Sequence, residues 1–122
     1  MTFKSNLMGS GTPSGQAGSI IGGTLVGQTA TGSTQADAFA LSVTNTQFTT
    51  VASGTGAIVP SFMQIGDYLR VFNNGANALL VYPITGAAIN NGAANAGFSV
   101  AANKSAQFFM LSPTLFGATL SA

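Results

Sequence analysis

From Phe39 onward the apolar and polar positions change places in short runs, and no run holds a helical phase. Phe39, Leu41 and Val43 alternate with Ala40, Ser42 and Thr44, the period-two signature of a strand with one buried face. Thr46 to Ala52 (TQFTTVA) continues in β-branched residues around Phe48. Ile58 and Val59 precede Pro60, whose missing N–H marks a strand end or an edge. Gly66-Asp67 opens a strand over Tyr68 to Phe72 (YLRVF), and Ala78 to Tyr82 (ALLVY) forms the next, closed by Pro83. Phe98 to Val100, Ala106 to Leu111 (AQFFML) and a closing segment around Leu115, Phe116 and Leu120 follow. The pattern predicts an all-β fold of about seven or eight short strands, packed as a single small β-sandwich or jelly-roll-like barrel.

The turns between these runs carry the residues that turns demand. Asn73-Asn74-Gly75 tolerates positive φ and is expected to join the YLRVF and ALLVY strands. The segment Asn73-Asn74-Gly75-Ala76-Asn77-Ala78 is echoed seventeen positions on by Asn90-Asn91-Gly92-Ala93-Ala94-Asn95-Ala96. Two copies fall short of the roughly three repeats with which a solenoid buries a core, so they are expected as similar turns of one meander or Greek key.

The first 34 residues have a different texture, with eight of the sixteen glycines and a background of Ser and Thr. Backbone entropy disfavours an independent fold in such a stretch. The division expected is therefore an extended N-terminal arm over 1–34 and a β-domain over 35–122. The arm is either a flexible leader or a segment that lies on a neighbouring subunit, with Ile20, Ile21, Leu25 and Val26 as anchors.

Composition narrows function more than fold. Charged residues make up 4% of the chain, against about 25% in an ordinary soluble domain, and the net charge is +1. A surface this poor in charge is suited to coverage by other subunits, and self-association as a dimer or trimer is expected. The five charged residues are Lys4, Asp37, Asp67, Arg70 and Lys104, and histidine, cysteine and tryptophan are absent. That leaves almost none of the reagents of acid–base, nucleophilic or metal chemistry, so the expectation is no enzyme, no cofactor and no metal. Three dispersed cations make no footprint for phosphates, which argues against a nucleic-acid partner. No run approaches the ~20 apolar residues of a membrane span, and the N-terminus has no apolar stretch of signal-peptide length. The chain is accordingly expected to be made and used without a classical export signal, or released by lysis, with no membrane partner.

Few residues are candidates for specific contacts. Asp67 and Arg70 are the only opposite charges close in sequence, but three positions apart on a strand they face opposite sides unless a bulge intervenes. They are read either as a subunit-interface ion pair or as a surface pair contributing about 0–1 kcal/mol. The glycine-rich run from Gly9 to Gly15 lacks the Gly-Lys-Ser/Thr ending of a phosphate loop, and Pro13 removes one of its amides. Tyr68 and Tyr82 are the residues a carbohydrate-binding module would use as a platform. Phe108 and Phe109 point to opposite faces of one strand, so at most one of them lines a given surface.

The ordered segments QADAFAL (Gln35–Leu41), TTVASGTGAIVPS (Thr49–Ser61), GDYLRVFNNGANALLVYP (Gly66–Pro83) and INNGAANAGFSVAANKSAQFF (Ile89–Phe109) together resemble a small all-β virion protein of tailed bacteriophages. The likeness covers about two thirds of the chain. Leu115-Phe116 stands where similar proteins often carry a tryptophan. The resemblance implies a structural virion component, either a capsid decoration (cement) protein or a head fibre. Its partner would be the major capsid protein, and its location the capsid exterior. On that reading Ile20, Ile21, Leu25, Val26, Asp67 and Arg70 are the candidate capsid or subunit contacts. The alternatives are a tail or fibre component with a trimeric β-knob, and a carbohydrate-binding module.

Overall fold

In a computed structural model of the chain, which describes residues 22–121, the backbone crosses back and forth between two β-sheets. The first coil is β1 (Thr24–Thr29), a 3-10 turn (Gln35–Asp37) and β2 (Phe39–Ala40). The second is β3 (Asn45–Thr50) and β4 (Gly56–Ile58), and the third is β5 (Tyr68–Asn73) and β6 (Leu79–Tyr82). β1, β3 and β5 lie side by side in parallel, and so do β2, β4 and β6 in the facing sheet. After β6 come β7 (Ala88–Ile89), β8 (Phe98–Val100), β9 (Lys104–Ser112) and β10 (Leu115–Leu120). β8 and β9 close the stack by pairing antiparallel with β6 and β5, and β10 adds an antiparallel strand to β9 and pairs in parallel with β7. The sheets thus have the orders β1-β3-β5-β9-β10-β7 and β2-β4-β6-β8. This is the strand pairing of a short β-solenoid.

The all-β class agrees with the alternation of the sequence, but the sandwich or jelly-roll-like barrel does not. Those folds join antiparallel neighbours by hairpins and Greek keys, whereas here each parallel neighbour is reached by way of a strand in the other sheet. Alternation reports which face is buried and says nothing of the direction of the adjacent strand. The step between stacked residues is also uneven, 21 residues from Thr24 to Asn45 and 25 from Asn45 to Arg70. An uneven step leaves no fixed period to detect.

The Asn73–Gly75 turn joins the YLRVF and ALLVY strands as expected, but β5 and β6 lie in different sheets, so it is a corner of the third coil and not a turn of a meander or Greek key. Asn73 is fully buried there, and its side chain is the hub of the corner. Its Nδ2 donates to the carbonyls of Asn77 (2.9 Å) and Val100 (2.8 Å), and its Oδ1 accepts from Gly75 N–H (3.0 Å). Asn77 Nδ2 donates to Val51 O at 2.9 Å, tying the corner to the coil beneath. A Cβ on Gly75 would lie 2.7 Å from Val51 Cβ and 2.8 Å from its backbone N, so only glycine lets the two corners stack this closely. The echo at Asn90 has another use. Its side-chain amide pairs with the Ala118 peptide in both directions (3.2 and 3.0 Å), standing in for a strand residue beside β10.

The core lies between the sheets. Phe48, Leu69, Val71, Phe108 and Phe116 of the larger sheet meet Ala57, Leu79, Val81 and Val100 of the smaller. Two edge-to-face ring pairs bridge the layers, Phe39 with Phe48 at 5.2 Å and Phe98 with Phe108 at 5.7 Å. Burying the fully enclosed Phe48 and Phe108 contributes about 1.5–3 kcal/mol each, the partly buried Phe39 and Phe98 less, and the ring geometry about 0.5–1.5 kcal/mol per pair. The expected boundary at Thr34 falls inside this architecture, because Thr24–Thr29 already forms the edge strand of the larger sheet.

Candidate interaction surface

The larger sheet turns one face to the core and the other outward, and strand register sets what the outer face displays. Thr24, Asn45, Arg70, Gln107 and Thr119 are successive partners across β1, β3, β5, β9 and β10. Five strands about 4.8 Å apart place these side chains along a row of roughly 19 Å. To one side of the row lie Tyr68, Phe109 and Gly117, and to the other Gln47, Phe72 and Ser105. Leu69, Val71, Ala106 and Phe108 have the opposite phase and are buried. Phe108 and Phe109 therefore face opposite ways, as a strand requires.

Arg70 sits at the middle of the row. Its guanidinium lies 5.3 Å from the centre of the Tyr68 ring, and its Nη1 donates to Asn45 Oδ1 at 3.4 Å. Asn45 in turn donates from Nδ2 to Thr24 Oγ1 at 3.4 Å. A depression of about 250 Å³ opens beside Arg70, lined by Ser105, Gln107, Thr119, Leu120 and Ser121. A second, of about 280 Å³, lies toward the β1 edge between Val26, Gln47, Phe72 and Asn74.

The sequence candidates separate in space. Asp67 is 3% exposed, and its Oδ2 accepts from Gln64 N–H at 2.9 Å, so the carboxylate serves its own turn. Arg70 faces outward, and among the described residues it contacts Asn45 and Tyr68 and makes no ion pair with Asp67 within the chain. Leu25 and Val26 belong to β1, with Leu25 half-buried and Val26 67% exposed. Ile20 and Ile21 lie outside the described residues. Tyr82 is buried on the smaller sheet while Tyr68 is on the larger, so the two rings form no common platform. Asn45, Gln107 and Thr119 were not singled out from sequence, because neutral polar side chains carry no motif. The usable signal was their phase, opposite to that of the buried Phe48 and Phe108.

Asp37 is the other acid. Thr34 donates to its Oδ1 from the backbone N–H and from the hydroxyl, both at 2.8 Å, and Ser33 N–H adds a third bond at 3.1 Å. These donors, with the Thr34 backbone first, hold the carboxyl below its ordinary value of 3.8. Among the described residues no three of His, Cys, Asp and Glu come together as a metal site would need.

Compared with known proteins, the chain matches no family model, no curated protein and no solved structure.

Proposed function

We propose that this chain is a structural component of a tailed-phage particle that binds the outside of the capsid and strengthens the contacts between capsomers. One observation carries the reading beside the sequence resemblance. The described residues expose seven large apolar side chains, Val26, Phe62, Ile65, Phe72, Leu111, Leu115 and Leu120, against three charged residues that are not buried, Asp37, Arg70 and Lys104. A free protein with that ratio gains by covering its surface. Burying apolar and neutral polar groups against a shell is also far less costly than desolvating Lys or Glu. A standard interface of ~1,600 Å² at ~25 cal/mol/Å² is ample after the entropy of association, and several symmetry-related attachments slow release further.

Immunogold labelling of particles from a lysate containing the chain tests the location. Label distributed over the heads is the expected result. Label at the tail tip favours the tail or fibre alternative and overturns the capsid reading, and unlabelled particles overturn both. Deletion to locate a binding arm should stop at Ile21, since removal through Thr34 takes away β1 and confuses folding with binding.

A further inference from the structure

We propose that the row Thr24–Asn45–Arg70–Gln107–Thr119 is a binding strip for a saccharide bearing a carboxylate, with Arg70 receiving the acid group. The inference is independent of the particle reading, because it concerns what the outer sheet face recognises. It starts from an uncompensated charge. The chain has two acidic side chains, and both carboxylates are already engaged, Asp37 by Ser33 and Thr34 and Asp67 by the Gln64 amide. Among the described residues no carboxylate faces Arg70, so its outward guanidinium is open to an acidic ligand.

The guanidinium is held ready for one. The cation–π contact with Tyr68 at 5.3 Å and the 3.4 Å bond to Asn45 hold it beside the row while using one of its five N–H donors. The remaining fork matches a carboxylate in bidentate fashion. On the side toward β10, the Gln107 side-chain amide and the Thr119 hydroxyl make no hydrogen bond among the described residues, and both line the depression beside Arg70. They offer donors and acceptors to neutral hydroxyls. Two residues along the same strand, the partly exposed Phe72 ring presents an apolar surface to the C–H face of a sugar.

Charge decides among the classes of acidic ligand. Nucleic acid or an acidic peptide presents successive negative groups and is met by clustered cations. Here one cation stands in a row of amides and hydroxyls, which suits an isolated carboxylate on a neutral, hydroxyl-rich body. Uronic and sialic acid units have that chemistry.

The test is a titration of the full chain, followed by backbone amide NMR. The probes are a glucuronate-containing tetrasaccharide, a sialic-acid-terminated oligosaccharide, the carboxyl-reduced form of each, and a hexaglutamate peptide. Expected are saturable shifts centred on Asn45, Arg70, Gln107 and Thr119 with at least one acidic sugar, weakened about tenfold or more by reduction of its carboxyl. Arg70→Lys should weaken binding several-fold and Arg70→Gln abolish it, with the far-UV circular dichroism of both variants unchanged. Gln107→Ala should weaken binding while leaving the Arg70 contact with Tyr68 in place. The proposal is overturned if neither acidic sugar binds at millimolar concentration, if the reduced sugars bind equally well, if shifts map elsewhere, or if only the peptide binds.

Discussion

The asparagine at the third-coil corner gives the sharpest test of how the coils are held together. Asn73→Ala removes three hydrogen bonds from a fully buried side chain. Gly75 N–H then loses its acceptor inside the fold, at about 1–3 kcal/mol, and two carbonyls each lose a donor at about 0.5–1.5 kcal/mol. The Asn77 carbonyl belongs to an exposed residue and recovers part of its loss from water. The net expectation is a destabilisation of about 3 kcal/mol, a large share of the 5–15 kcal/mol typical of a domain. Urea denaturation followed by circular dichroism reads this directly, and the thermal midpoint should fall by roughly 10–20 °C. Asn73→Asp separates the contributions. It keeps an acceptor for Gly75 but turns the second oxygen toward the Asn77 and Val100 carbonyls, so at neutral pH it should be less stable than Asn73→Ala. An Asn73→Ala loss below about 0.5 kcal/mol, or an Asn73→Asp variant as stable as the parent chain, would refute the reasoning.

Four other substitutions or conditions probe separate parts of the fold. Thr46 is 1% exposed and its hydroxyl has no hydrogen-bond partner, so Thr46→Val should hold or raise stability by about 0.5–1 kcal/mol in the same denaturation assay. A loss above about 1 kcal/mol would show that the hydroxyl is used. Gly75→Ala should cost about 1–3 kcal/mol through collision with Val51, visible as a lower urea midpoint. Asp37 binds a proton more weakly folded than unfolded, so its contribution is present above the unfolded carboxyl range and is lost as pH falls through the folded value. Stability measured from pH 6 to pH 2 should therefore decline at the acid end, and Asp37→Asn should flatten part of that decline. Val26→Lys, on the exposed edge strand, should leave the midpoint within about 0.5 kcal/mol while reducing self-association in sedimentation velocity.

Much of the candidate surface was present in the chain as phase. Once Phe48 and Phe108 are taken as inward, Gln47 and Gln107 must be outward, and the same holds for Arg70 between Leu69 and Val71. What could not be read was that Asn45, Arg70 and Gln107 stand in one row, because β3 and β9 flank β5 through pairings that no local pattern encodes. The edge strand was missed for a related reason. Thr24–Thr29 contains Gly27 at φ +68 and a break in register, so its alternation is interrupted where the strand is bulged.

By itself, the sequence determined the all-β character, most strand positions, the poverty of reactive groups and the inward or outward sense of side chains within a strand. These are local properties, set by period-two sterics and side-chain chemistry. Tertiary structure alone decided that the strands coil in parallel, that Asn73 is a buried hub, and that Asp67 and Arg70 part company. Those outcomes depend on which strands become neighbours across 20 or more residues, as in the 21- and 25-residue steps of the coil. Parallel and antiparallel neighbours impose the same alternation on a strand, so only packing of the whole chain selects between them.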